Sequence, residues 1–238
     1  MSGGSGSKVS RAGKSGADPK PPRAPRRKVE GDTPKETAAA GAAIRSEVPR
    51  STAGDWSPAT DRPDPVALIL EQSAGRVQSL VPIRHGRMLA SPFSFYRGAA
   101  LIMAADLARV PSSGIYVQAC GDAHVSNFGM FATPERTMAF DVNDFDESHP
   151  APFEWDVMRL VASIVVAADG NGFPRKVSRR LAQHAAERYR DQVRTLSELN
   201  FLDVWYSHVD VRGRAQAVAE TASKSERKVA RKTMAKAK

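Results

Sequence analysis

Apolar and polar positions alternate with two different periods along the chain, and the switch between them divides it. Asp64-Pro65 precedes Val-Ala-Leu-Ile-Leu, with Asp64 placed to cap and Pro65 in the first turn, so a helix is predicted from Asp64 to about Val81, ahead of Pro82. After Ser91-Pro92, the residues Phe93, Tyr96, Ala100, Met103, Ala104 and Leu107 recur at helical spacing, which predicts an amphipathic helix from Phe93 to Val110; Pro111 and Gly114 end it. The texture then turns to β-formers. Ile115 to Cys120 and Thr137 to Val142 read as short strands, and Phe128 to Arg136 as a strand entering a turn at Pro134-Glu135. From Phe153 the helical period returns. Trp155, Met158, Leu160, Val161, Ile164, Val165 and Val166 leave little polar surface, so this helix is expected to be central and buried, with Trp155 in the core. Further helices are predicted from about Pro174 to Leu199, from Phe201 to His208 and from Ala215 onward, and no internal repeat is present.

Charge sharpens this division. The 238 residues carry 35 Lys plus Arg and 26 Asp plus Glu, a formal charge of +9. Residues 1–50 contribute +6 and residues 211–238 contribute +7, whereas residues 51–210 carry −4. Three regions are therefore expected: a disordered basic tail over 1–50, one domain over 51–211, and a basic helical or frayed tail over 212–238. The first tail has no aromatic residue and little apolar area to offset the entropy of ordering. Its run from Pro21 to Lys28, with the C-terminal tail, is the only place where nucleic-acid contact is expected; the core offers none. No apolar run approaches the roughly 18 residues of a membrane span, and no apolar stretch follows Met1 as in a signal peptide, so a soluble protein is expected. A single cysteine, Cys120, fits a cytoplasmic setting and reads as a core thiol rather than a nucleophile, because no base stands at a recognisable spacing.

The chemistry is concentrated between residues 120 and 156. Eight acids stand there against Arg136 alone, so the folded state needs a counter-charge, for which a hard cation is the natural candidate. The spacing is more specific than the charge. In kinase catalytic loops an Asp accepts the proton of the substrate hydroxyl, an Asn five positions on reaches Mg²⁺, and an Asp beyond a short hairpin supplies the main metal ligand. Asp122 and Asn127 are five apart, and a strand–turn–strand leads on to Asp144-Phe145-Asp146.

Gly121-Asp-Ala-His-Val-Ser-Asn127 resembles the Gly-Asp-x-His-x-x-Asn loop of aminoglycoside and choline phosphotransferases of the protein-kinase-like superfamily. Ser91 to Gly98, Cys120 to Gly129, Asn143 to Glu147 and Phe153 to Leu160 together resemble the bacterial family called domain of unknown function 2252, over roughly Trp56 to the C-terminus. The resemblance implies an α+β fold like the larger, catalytic lobe of such kinases, mostly helical with a small β-hairpin region around the catalytic loop. It implies Mg²⁺ and ATP as cofactors, and phosphoryl transfer from the nucleotide to an unknown hydroxyl on a small-molecule or protein acceptor, with no membrane partner. Asp122 would be the base and His124 a loop-shaping residue near the phosphates. Asn127 and Asp144 would be the metal ligands, and Asp156 would brace the loop through backbone amides.

Some positions stay open. Asp141 competes with Asp144 as main ligand; the twelve residues from Asp144 to Asp156 favour Asp144. Asp146 is a further candidate ligand, or a solvated acid with Glu147. Arg97 is the candidate contact to the nucleotide, Arg84 a partner of the acidic block, and His85 and His149 ordinary surface or turn residues. A Gly-rich loop and a Lys-bearing strand are missing from structured context, so the chain reads as shorter than its relatives and incomplete for transfer on its own. Two other functions compete: a non-catalytic kinase-like binding module, and a metal-dependent phosphoesterase, since Gly-Asp-x-His also occurs in dinuclear hydrolases.

Overall fold

The computed structural model describes residues 33–207 apart from 135 and 137. Within them the chain is α+β and mostly helical, with two small antiparallel ribbons. Residues 1–32 of the expected disordered tail lie outside the described residues; helix α1 spans Pro34–Glu47 and corrects that expectation over its own stretch. Its order rests on local chemistry. Thr33 Oγ1 accepts from the Glu36 amide at 3.3 Å while Glu36 returns a carboxylate to the Thr33 amide at 3.0 Å, and an Ala-rich sequence follows with Ile44 buried. Burial arithmetic alone missed that contribution.

Helix α2 (Pro65–Ala74) starts as predicted, with Asp64 accepting from the Val66 and Ala67 amides at 3.2 Å each. It ends at Gly75, short of Val81. The Gln78 side-chain amide donates to the Ser73, Ala74 and Arg76 carbonyls at 3.0, 3.2 and 2.9 Å and closes the helix end. After one 3-10 turn, α3 (Val81–Met88) begins with Pro82 in its first turn, so this proline opens a helix instead of closing one. The helix predicted over 93–110 is two: α4 (Pro92–Gly98), capped by Ser91, and α5 (Ala100–Leu107). Between them Arg84 of α3 reaches across and donates from Nη2 to the Gly98 carbonyl at 2.6 Å, taking an acceptor that a continuous helix would need.

Strand β1 (Tyr116–Ala119) pairs with β4 (His149–Pro152), Tyr116 opposite Pro152; β2 (Phe128–Ala132) pairs with β3 (Met138–Val142), Phe128 opposite Val142. The β4 sequence, His-Pro-Ala-Pro, carries no strand signal. It is tolerated because a two-stranded ribbon leaves one edge of each strand unpaired, where proline loses nothing.

Helix α6 (Glu154–Gly170) lies against α4, α5 and α7 (Arg175–Leu196), and also touches the 3-10 turn Val125–Asn127. Its centrality is as expected, but its fully buried residues are Arg159, Ser163 and Ala168, while Trp155 and the aliphatic run are half-buried. Close approach here depends on small side chains: Ala99, Ala119, Ala123, Ala151 and Ala182 are buried as well. Helix α8 (Phe201–Tyr206) follows an Asn200 cap. The end of the predicted helix at His208 and the helix from Ala215 lie outside the described residues. No described helix is long and apolar enough to cross a membrane.

Candidate active site

The loop between β1 and β2 is held from beneath by α6. Asp156, in its first turn, accepts the Cys120 amide on Oδ2 at 2.7 Å and the Gly121 amide on Oδ1 at 3.0 Å. One turn further on, Arg159 meets Asp122. Another turn on, Ser163 Oγ accepts the Val125 amide at 2.9 Å and donates to the Leu160 carbonyl at 2.6 Å. Positions 156, 159 and 163 share one helix face, so a single rigid element fixes the loop at three points.

Gly121 is required where it stands. Its φ is +79°, and a Cβ there would lie 2.1 Å from the Glu147 carbonyl oxygen, a backbone atom. Two chain segments, the loop and the start of β4's approach, pass at a distance only glycine allows.

Asn127 joins the loop to the downstream acids. Buried at 6% exposure, it donates from Nδ2 to the Asp122 carbonyl at 3.1 Å and to the Asp144 carbonyl at 3.0 Å. Asp122, Asn127 and Asp144 therefore come together. Cys120 lies in the same knot, its thiol 3.7 Å from both the Asp144 carbonyl and Asn127 Nδ2. Burial pushes that thiol up, a hydrogen bond with the Asp122 backbone opposes this, and the carboxylates of Asp156, Asp122 and Asp144 add to the rise. The thiol therefore stays protonated, though it is half-buried rather than in the core.

Asp144 Oδ1 accepts from the Asp146 amide at 3.1 Å, an Asx turn that leaves both carboxylates exposed. Asp141 sits on β3 opposite Gly129, exposed, with Oδ1 taken by the amide of Val142 at 2.7 Å. It has no tie to Asn127 of the kind Asp144 has. Among the described residues no three His, Cys, Asp or Glu side chains converge as a metal cluster.

The residue that sequence reasoning missed is Arg159. Its side chain is 3% exposed, against 22% for Asp122, and both Nε, at 2.7 Å, and Nη2 engage Asp122 Oδ1. The guanidinium lies 4.6 Å over the Tyr96 ring, and Nη2 also donates to the Tyr96 carbonyl at 3.0 Å. The only basic residue of a helix whose middle is mostly apolar was the available signal: a buried cation has to have a partner.

His124 is buried, with Nε2 3.5 Å from Asp122 Oδ2, its ring edge against Phe93, and Nδ1 without a hydrogen-bond partner. Burial holds its imidazole below the ordinary value; Asp122 opposes this, while Arg159 and Arg97 add to it. Arg97 itself is exposed at the end of α4. The neutral folded imidazole has a consequence for stability. An unfolded chain takes up the proton at the ordinary value of 6.5, so below that pH the unfolded state binds more protons and stability falls as the pH drops toward the folded value. Unfolding midpoints in urea should therefore decline between about pH 7 and about pH 5, and less steeply in His124→Gln. Equal slopes would show that His124 does not titrate differently on folding.

The remaining candidates serve the scaffold. Arg84 caps α4 rather than ion-pairing the acidic block; Arg76 is the arginine that approaches Glu147, at 3.7 Å. His85 Nε2 lies 3.1 Å from the buried Ser73 hydroxyl, which itself donates to the Ile69 carbonyl at 2.7 Å, so His85 is an interior link between α2 and α3. His149 Nδ1 is 2.9 Å from the Glu147 carbonyl, and its ring edge meets Trp155.

Fold and site together define a mostly helical α+β domain in which one helix clamps an acidic, glycine-started loop against a second acidic turn. The model of the family described as uncharacterized protein conserved in bacteria (DUF2252) matches residues 76–238, and the chain belongs to that family. No curated protein and no solved structure matches it.

Proposed function

We propose that the chain carries the catalytic-loop part of a kinase-like phosphotransferase, acting with Mg²⁺ and ATP on a hydroxyl acceptor. The observation that carries this reading is the Asn127 amide, which binds the carbonyls of Asp122 and Asp144 at once and so joins a base candidate to a metal-ligand candidate. Both carbonyl bonds come from Nδ2, so Oδ1 is the acceptor end of the amide. That oxygen and the exposed Asp144 carboxylate would be the groups that hold Mg²⁺, which prefers hard oxygen donors. When bound, Mg-ATP supplies the electrophilic phosphorus and neutralises charge on the phosphates. Asp122 orients the acceptor hydroxyl and receives its proton. Asp156 and Ser163 keep the loop backbone from yielding, and His124 packs beneath it.

The phosphoesterase alternative needs several further His and Asp ligands around two ions. Among the described residues His85, His124 and His149 are committed to separate elements and His184 is exposed on α7, which favours the phosphotransfer reading. The metal arm is tested by the thermal unfolding midpoint with and without millimolar Mg²⁺ and ATP. Stabilisation is expected for the wild type and for Asp141→Ala, and its loss for Asp144→Ala. Loss in Asp141→Ala with retention in Asp144→Ala would assign the ligand to β3 instead.

A further inference from the structure

Arg159 does something that a simple counter-charge does not. Its Nε and Nη2 both address Oδ1 of Asp122, so one carboxylate oxygen is pinned and the other, Oδ2, is left on the His124 side. The same guanidinium is bound to α4 in two ways, by stacking over Tyr96 and by the bond to its carbonyl. Tyr96 answers in the other direction: its hydroxyl donates to the Arg159 carbonyl at 2.8 Å. The two helices are therefore tied reciprocally through one residue of each. Helix α4 is in turn seated by Arg84 of α3 on the Gly98 carbonyl.

We propose that Arg159 and Tyr96 form a positioning device, which fixes the carboxylate plane of Asp122 and couples it to the seating of α4. The proposal rests on the phosphotransfer reading for the meaning of Asp122, but the coupling is a property of the folded chain alone. If Arg159 merely neutralised a half-buried carboxylate, Lys would serve equally and the Tyr96 hydroxyl would be irrelevant. Planar fork geometry is what Lys lacks: a single ammonium cannot hold Oδ1 and the Tyr96 carbonyl while covering the ring. A displaced base costs rate rather than nucleotide affinity, because the acceptor hydroxyl is no longer aligned.

The test uses the full chain in two measurements. In the first, ¹⁵N-arginine NMR follows hydrogen exchange of the Arg159 Nε–H without nucleotide; Asp122→Asn and Tyr96→Phe should each accelerate it by on the order of tenfold or more. Unchanged exchange in Tyr96→Phe would overturn the coupling. In the second, Mg-ATP turnover is measured: Arg159→Lys and Tyr96→Phe should lower kcat by on the order of 10- to 100-fold with KM for ATP unmoved. A Lys variant as fast as wild type would reduce Arg159 to a counter-charge and overturn the proposal. A wild type that turns nothing over counts against phosphotransfer by this chain acting alone, while the exchange measurement still decides the coupling by itself.

Discussion

Gly121→Ala is expected to be the most damaging alanine substitution among the described glycines. The new Cβ would meet the Glu147 carbonyl oxygen at 2.1 Å, and the backbone at +79° is one that side chains rarely adopt. Neither problem can be relieved by turning a side chain. Left-handed strain and overpacking against backbone together cost about 3 kcal/mol or more, a large share of the roughly 5–15 kcal/mol that holds a domain folded. The loop would have to leave either Asp156 or the Glu147 segment, so the variant should lose both thermal stability and any Mg²⁺ response. Gly129→Ala is the control. Its Cβ would approach Asn143 Nδ2 at 2.2 Å, but that atom is the far end of an exposed side chain that can swing away, so the expected cost is within about 1 kcal/mol. Urea denaturation of the two variants checks the contrast; equal losses would mean that loop and turn do not touch as described.

Removing Arg159 should have the second large effect. Arg159→Met fills a similar volume but strands the Asp122 carboxylate with His124 as its remaining polar neighbour. Because Asp122 is 22% exposed, the loss is expected toward the lower end of the range of about 3–5 kcal/mol for breaking a fully buried pair. Asp122→Asn on the same background removes the stranded charge. The double variant is therefore expected to be more stable than Arg159→Met alone, read from urea midpoints at constant m-value. Additive losses would show that the pair is not coupled.

Much of this arrangement was legible in the sequence because it follows local rules. The Asp64 cap, the strand at 116–119, the hairpin from Phe128 to Val142 and the helix after Phe153 each have a signal within a few residues. The five-residue spacing of Asp122 and Asn127 pointed to one loop, and Asp156 takes backbone amides of that loop, as the resemblance implied. What escaped depends on contacts distant in sequence. Arg84 splits the helix over 93–110 from fourteen residues away, and Arg159 reaches Asp122 across 37. Strand β4 exists because β1 accepts it, despite two prolines. Helix α1 escaped for the opposite reason: its capping box is local, but it lies in a segment whose composition spoke for a tail.

Asn127 shows where the two kinds of information meet. Its spacing suggested a metal ligand, while the structure adds that its amide nitrogen is already spent on two carbonyls, so only the oxygen is suited to a cation. The function proposed here depends on that orientation more than on the surplus of acids around it.

The most direct test is calorimetric titration of the full chain with ATP, in the presence and absence of Mg²⁺, for wild type and Asp144→Ala. Saturable binding that requires Mg²⁺ and disappears in Asp144→Ala is the predicted result. No binding to the wild type, or binding that ignores both Mg²⁺ and Asp144, would contradict the assignment of a metal–nucleotide site to this loop.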